Sequence, residues 1–209
     1  LYRNWGEWQG NFLVEGFFTD LDDVFDLKEI GFEDGILIKE RHNESGARVA
    51  GANIEGKIAW RDVLQVQAGA TFQKSEYKEA RSWSDDVTPT RKMFRTPDFY
   101  GYLSASYNPV KRMQLSLTGT YTGSMLIEHH AGFIDSNKSV ETPDFWDLNF
   151  KIAYDFKIYS SFSLQLNAGV QNMLNSFQKD FDSGADRDSG YIYGPTLPRS
   201  FFLGIKLNY

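Results

Sequence analysis

Between residues 146 and 156 the chain changes polarity at every step. Trp146, Leu148, Phe150, Ile152, Tyr154 and Phe156 alternate with Asp147, Asn149, Lys151, Ala153 and Asp155. A period of two is that of a β-strand, whose successive side chains leave opposite faces. The same alternation, less clean, marks residues 8–20, 47–60, 63–77, 98–107, 113–126 and 162–170, and the stretch after residue 197. That last stretch, PRSFFLGIKLNY, places Phe201, Leu203, Ile205, Leu207 and Tyr209 on one side and Gly204, Lys206 and Asn208 on the other. Phe202 alone breaks its pattern. The chain is therefore expected to be all-β, with about eight antiparallel strands.

The connections between these strands alternate between long and short. Residues 21–45, 78–95, 128–143 and 175–197 are long, polar and charged, whereas 61–62, 108–111 and 157–161 are tight. Residues 36–38 are a short apolar extension within the first long connection. Soluble meanders follow no such rule; outer-membrane barrels do, with short periplasmic turns and longer external loops. Trp60, Tyr107, Phe156 and Tyr209 are aromatics on the apolar faces, each beside a short connection or the chain end. They are expected to form a lipid-facing girdle at one membrane level. Ten residue steps from Trp146 to Phe156, at about 3.3 Å each and a tilt near 45°, span about 23 Å, the height of an apolar barrel band. The opposite faces carry Gln65, Gln67, Gln114, Thr118, Asn149, Lys151, Gln165 and Asn167, which suit a wetted lumen or the wall of a plug.

Bulk composition agrees. Aromatic residues make up 16% of the 209 residues, while the mean hydropathy is only −0.45. A barrel that exposes apolar groups at alternate positions produces that combination, and no run is long enough for a membrane helix. The net charge of −6 argues against general nucleic-acid binding. Cysteine is absent, which removes disulfides and thiolate sites. The chain opens Leu1-Tyr2-Arg3 without initiator Met, basic n-region or apolar h-region, and is read as an internal piece of a longer one.

Four segments resemble the C-terminal part of TonB-dependent outer-membrane receptors, and a fifth, GYIYGPTLPRS (residues 190–200), resembles versions from Bacteroidetes-type bacteria. GVQNMLNSFQKDF (residues 169–181) is similar to that family's motif around the penultimate strand, with Asn172 at the Asn position, Met173 in place of Leu and Asn175 in place of Asp. GARVAGANIEGKIAW (46–60) and RTPDFYGYLSASY (95–107) resemble two of its strands. Phe201, Leu203, Ile205, Leu207 and Tyr209 resemble the terminal signal read by the barrel-assembly machinery. The resemblance implies that residues 1–209 are the last eight strands of a barrel of about 22, whose N-terminal plug domain lies outside this chain. It implies a transporter, not an enzyme, in the bacterial outer membrane. The whole protein would import a scarce nutrient, namely a ferric siderophore, haem, cobalamin or a glycan. Its partners would be outer-membrane lipid, the plug and rest of the barrel, and the TonB complex. The alternative is an autonomous eight-stranded outer-membrane barrel serving as anchor or adhesin, or a soluble ligand-carrying barrel.

Catalytic motifs are absent: no Gly-flanked Ser nucleophile and no phosphate-binding glycine loop occurs. Asp180, Asp182, Asp186 and Asp188 lie at short spacing and are candidate Ca²⁺ ligands, although Gly184 and the lack of a late Glu break the EF-hand pattern. The acidic run Asp20, Asp22, Asp23, Asp26 is weighed against a solvated loop in the same way. His129 and His130 are adjacent, so on a strand they point to opposite sides rather than to one metal.

Overall fold

The computed structural model describes residues 1–34, 36–159 and 162–208. Among them there is no helix. The strands are β1 (Tyr2–Trp5), β2 (Trp8–Glu33), β3 (Ile36–Trp60), β4 (Leu64–Arg81), β5 (Thr90–Lys92), β6 (Phe99–Tyr107), β7 (Met113–Thr122), β8 (Leu126–His129), β9 (Lys138–Glu141), β10 (Phe145–Tyr159), β11 (Phe162–Gln171) and β12 (Ser200–Asn208). The main sheet is an antiparallel meander in the order β1-β2-β3-β4-β6-β7-β10-β11-β12, with β5 against β4. β8 and β9 form a separate hairpin. Eight long strands thus stand where the alternation puts them, with four short ones added.

Residues 21–45 correct the expectation of a long loop. β2 and β3 continue through them as one ribbon, paired from Trp8↔Trp60 to Glu33↔Ile36 with a bulge between Glu29 and Gly31. Polar residues interrupt the alternation there, which hides the strand. The ribbon outruns its neighbour: β3 pairs with β4 only from Trp60↔Leu64 to Ala47↔Tyr77. Arg48 and Lys78 bridge to Asp20 at 3.1 and 2.5 Å, and Lys78 also reaches Asp22 at 2.7 Å. The acidic run is therefore partly neutralised by cross-strand cations; the side chain of Asp26 lies outside the described residues. The fifth predicted strand also stops early, at Thr122, before β8 begins.

Register sorts the sheet's two faces. One row joins Asn11, Lys57, Gln67, Ser104, Thr118 and Asn149; the next on the same face joins Gln65, Ser106, Ser116 and Lys151. Hydrogen bonds knit this polar face, among them Gln67 Nε2 to Glu55 Oε1 (3.0 Å), Thr71 Oγ1 to Asn53 Oδ1 (2.9 Å) and Gln165 Nε2 to Asp155 Oδ1 (2.9 Å). The other face carries Phe12, Ile58, Val66, Leu103, Leu117, Phe150 and Leu203. Phe202 lies on the polar face because its ring covers Gly169, where an added Cβ would meet the ring at 2.5 Å. Tyr102 covers Gly69 in the same way. An aromatic ring laid over a cross-strand glycine shields backbone that the glycine leaves bare.

Burial is concentrated away from both faces. Of the buried residues, Val87, Ile127, His129, Thr142, Phe145, Asn172, Gln178 and Tyr191 all belong to the long-connection end. The core of this chain is a cap of packed loops at one end of a two-faced wall.

Candidate functional site

The cap is built from the three connections β4–β6, β7–β10 and β11–β12. Asn172 opens the last of these. Its φ of +49° turns the chain out of β11, a conformation that Asn tolerates better than most residues. Its side chain then closes the base of the loop: Nδ2 donates to the carbonyls of Ser176 (3.1 Å) and Leu197 (3.0 Å), and Oδ1 accepts from Ser176 N–H (2.9 Å). This gives a physical role to the Asn of the penultimate-strand motif. Inside the loop Gln178 is 1% exposed. It donates to Tyr191 O and accepts from Tyr193 N–H, both at 3.0 Å.

Three of the four candidate calcium ligands accept hydrogen bonds from donors within the cap. Asp180 accepts from Tyr191 Oη (2.9 Å) and Tyr193 Oη (2.5 Å). Asp182 lies 3.0 Å from His129 Nε2 through both carboxylate oxygens and accepts from Asp188 N–H at 2.9 Å. Asp188 accepts from the N–H groups of His130 (2.9 Å) and Gly190 (2.8 Å). Asp186 is exposed. Among the described residues no group of three or more His, Cys, Asp or Glu is placed to hold a metal ion. Burial opposes ionisation of Asp180, but the phenols of Tyr193 and Tyr191 outweigh it and hold its pKa below the usual carboxylate value. Burial likewise opposes ionisation of Asp188, and the N–H groups of His130 and Gly190 prevail. Burial, then the hydrogen bond to Asp180 and its charge, pushes Tyr191 up to about 12 and also raises Tyr193.

His129 and His130 part as their adjacency requires. His129 is buried and stacks on Tyr191, ring centroids 3.5 Å apart at 11°. His130 turns the other way, edge-on to Trp83 at 4.7 Å. Trp83 and His130 line a cavity of about 530 Å³ together with Phe25, Leu27, Lys39, Arg41 and Glu128. Phe25, Leu27, Lys39 and Arg41 stand on the part of the β2–β3 ribbon that runs beyond β4, on the continuation of the polar face. The cavity therefore opens above the wetted side of the sheet. Two cations, the carboxylate of Glu128, an indole, an imidazole and two apolar side chains surround one space, a lining that offers both charge and ring faces to a solute.

Sequence reading missed most of this. Trp83, Lys39, Arg41 and Phe25 carry no local signature, since only the extended ribbon brings them together. Arg95 was also missed: its N–H donates to Leu126 O (2.7 Å), and its guanidinium to Gly190 O (2.6 Å) and Ile192 O (3.1 Å). It ties three connections at one residue whose φ is +55°.

At the other end, Trp60, Tyr107 and Phe156 stand on the apolar face beside the short connections, the first half-buried and the others exposed. Phe201, Leu203, Ile205 and Leu207 are exposed on one face of β12. Tyr209 lies outside the described residues.

Residues 2–173 match the family model described as TonB dependent receptor-like, beta-barrel. The chain belongs to this family. Its members are transporters of the Gram-negative outer membrane, not enzymes. None of the curated proteins matches the sequence. Among solved structures, the ferric-catecholate import receptor Fiu of E. coli K12 is 21% identical with a TM-score of 0.61, over 96% of this chain and 27% of its own. The ferric enterobactin receptor PfeA of Pseudomonas aeruginosa is 13% identical with a TM-score of 0.57, over 99% of this chain and 29% of its own. The FrpB iron transporter of Neisseria meningitidis is 13% identical with a TM-score of 0.55, over 99% and 30%. The chain thus spans less than a third of each receptor's length, and at these identities the likeness is one of fold.

Proposed function

We propose that this chain is the C-terminal wall and part of the external vestibule of a TonB-dependent importer, and that its cargo is an anionic, ring-bearing iron chelate of the ferric-catecholate kind. The cavity bounded by Lys39, Arg41, Trp83 and His130 carries the reading of cargo. A neutral glycan has no use for two cations, and the receptors of similar fold include a ferric-catecholate import receptor. The plug domain, the rest of the barrel and the TonB complex would complete the machine. Supporting the larger barrel, β1 pairs only with β2 and β12 only with β11 among the described residues, so the wall has two open edges. A self-contained barrel needs those edges joined.

The aromatic girdle fits the same frame. The register row through Trp60 runs by Leu64, Tyr107 and Leu115 to Ile152. Four inter-strand steps of about 4.8 Å, at a tilt near 40°, shift that row by about 12 Å along a barrel axis. The four residues from Ile152 to Phe156 recover about 10 Å. On that count Trp60 and Phe156 come to within about 2 Å of one depth, and Tyr107, two steps along the row, lies about 6 Å from Trp60. The exposed apolar face of β12 would serve the barrel-assembly machinery before it closes against the first strand.

The test is uptake by a strain lacking the whole gene, with ferric 2,3-dihydroxybenzoate, haemin, cyanocobalamin and maltoheptaose as separate probes. Loss of the first alone is expected. Arg41→Ala in the full-length receptor should weaken binding of ferric 2,3-dihydroxybenzoate about 10- to 100-fold, the worth of one charge-assisted hydrogen bond. Unchanged uptake of all four probes ends the reading.

A further inference from the structure

The connection β11–β12 contributes no residue to the cavity, yet it holds the segment that displays His130. We infer that Asp182 and Asp188 are positioning residues that set His130 and Trp83 in the vestibule; this rests on the cavity being the cargo site.

The grip has three parts. Asp182, its side chain 2% exposed, faces His129 Nε2 with both oxygens at 3.0 Å. Tyr191 lies flat on the His129 ring and donates its phenol to Asp180 on the same connection. Asp188 takes the backbone N–H of His130 itself. Asp182 also accepts the backbone N–H of Asp188, so its carboxylate ties the main chain at Asp188 to His129. Because neighbouring residues at a strand end diverge, His129 is the anchor and His130 the group presented. On the cavity side the indole of Trp83 rests on His130 and donates to Ser139 Oγ at 3.1 Å, while Asn137 Nδ2 donates to Ser84 Oγ at 2.8 Å. The chain from Asp182 to Trp83 is thus continuous: carboxylate, imidazole anchor, imidazole displayed, indole. A ring that must meet a flat solute face-on loses affinity when its support slackens by an ångström.

The experiment uses the full-length receptor in detergent, with ferric 2,3-dihydroxybenzoate as probe. Asp182→Ala and Asp188→Ala should each weaken its binding about two- to thirtyfold, the range for residues that act through a contact network. Asp188→Asn, which keeps an oxygen acceptor for His130 N–H, should restore most of the affinity. A nitroxide on Ala131→Cys, with any cysteine elsewhere in the full-length receptor replaced by serine, reports the segment's mobility without probe. Mobility should rise in both alanine variants and stay unchanged in Arg41→Ala, which weakens binding directly. Retained affinity in both alanine variants, with Arg41→Ala impaired, overturns the positioning role alone. If Arg41→Ala also binds normally, the cavity is not the site and the inference falls with it. Heat-modifiable gel migration of every variant confirms a folded barrel.

Discussion

Gln178→Ala should open the external cap while leaving the wall intact. Gln178 is 1% exposed, and its amide satisfies two backbone groups of the same connection, Tyr191 C=O and Tyr193 N–H, each at 3.0 Å. Its own N–H donates to Pro195 O at 2.9 Å and survives the change. Truncation strands one buried acceptor and one part-buried donor. A fully buried orphan costs about 1–3 kcal/mol and a part-buried one less, so the loop loses about 2–5 kcal/mol of local stability. At about 1.4 kcal/mol per decade, a loss near 3 kcal/mol raises the opening constant about a hundredfold. Amide hydrogen exchange of the detergent-solubilised receptor reads this directly: Tyr193 should lose about two decades of protection, while amides of β10 and β11 keep theirs. Gln178→Leu fills the volume without the hydrogen bonds and should behave like alanine. Protection at Tyr193 within threefold of wild type in both variants would refute the reasoning, because it would mean that the amide holds nothing.

Three further outcomes are expected. Phe150→Arg, in the middle of the apolar face, should destabilise the folded receptor in vesicles by about 2–4 kcal/mol, whereas Thr118→Arg on the polar face should change stability little, both measured by urea unfolding. The cap should be pH-bounded on two sides. Asp180 and Asp188 ionise more readily in the folded loop than outside it, so their contribution is present above the ordinary carboxylate range near pH 4 and is lost as pH falls through their lowered values. Tyr191, raised to about 12, contributes fully below pH about 10 and loses that contribution as pH climbs toward 12; near-ultraviolet circular dichroism should track both limbs. Gly169→Ala should destabilise by about 1–3 kcal/mol on overpacking, since its Cβ would strike the Phe150 carbonyl as well as the Phe202 ring; Gly69→Ala meets only the Tyr102 ring and should recover in a Tyr102→Leu background, both by thermal unfolding.

What the sequence made legible follows from where a phase boundary stands behind the residues. Trp146 to Phe156 alternates as a wall between an apolar and a wet phase requires, so β10 and its neighbours could be drawn from the alternation alone. Residues 21–45 mix charged side chains such as Asp22, Asp23 and Glu40 among the apolar ones, and the strand was hidden although its backbone pairing is continuous. The diverging pair His129–His130 was legible from local geometry alone. Its partners were not: Asp182 lies 53 residues from His129 in the chain, and nothing in the spacing of DFDSGADRDSG distinguishes a loop that feeds its carboxylates to internal donors from one that gathers them around a cation. Phe202, the one break in the last strand, needed the cross-strand glycine to be explained.

The distribution of burial bears on how such a wall can serve a site. A soluble domain buries its apolar groups in one core that every element shares, so a change in the site tends to be felt throughout. Here the sheet has one apolar and one polar face, and the chain's own packed core sits in the cap. The cavity joins two parts of the molecule that are far apart in the sequence. Trp83, Glu128 and His130 belong to the cap, cross-tied by Arg95 and by the contacts of Asp182 and Asp188. Phe25, Leu27, Lys39 and Arg41 stand on the β2–β3 ribbon, where β3 has no pairing with β4 beyond Ala47↔Tyr77 among the described residues. A solute that bridges the ribbon's cations and the cap's rings would therefore tie the two together through side chains alone, and the strands that carry both need not move.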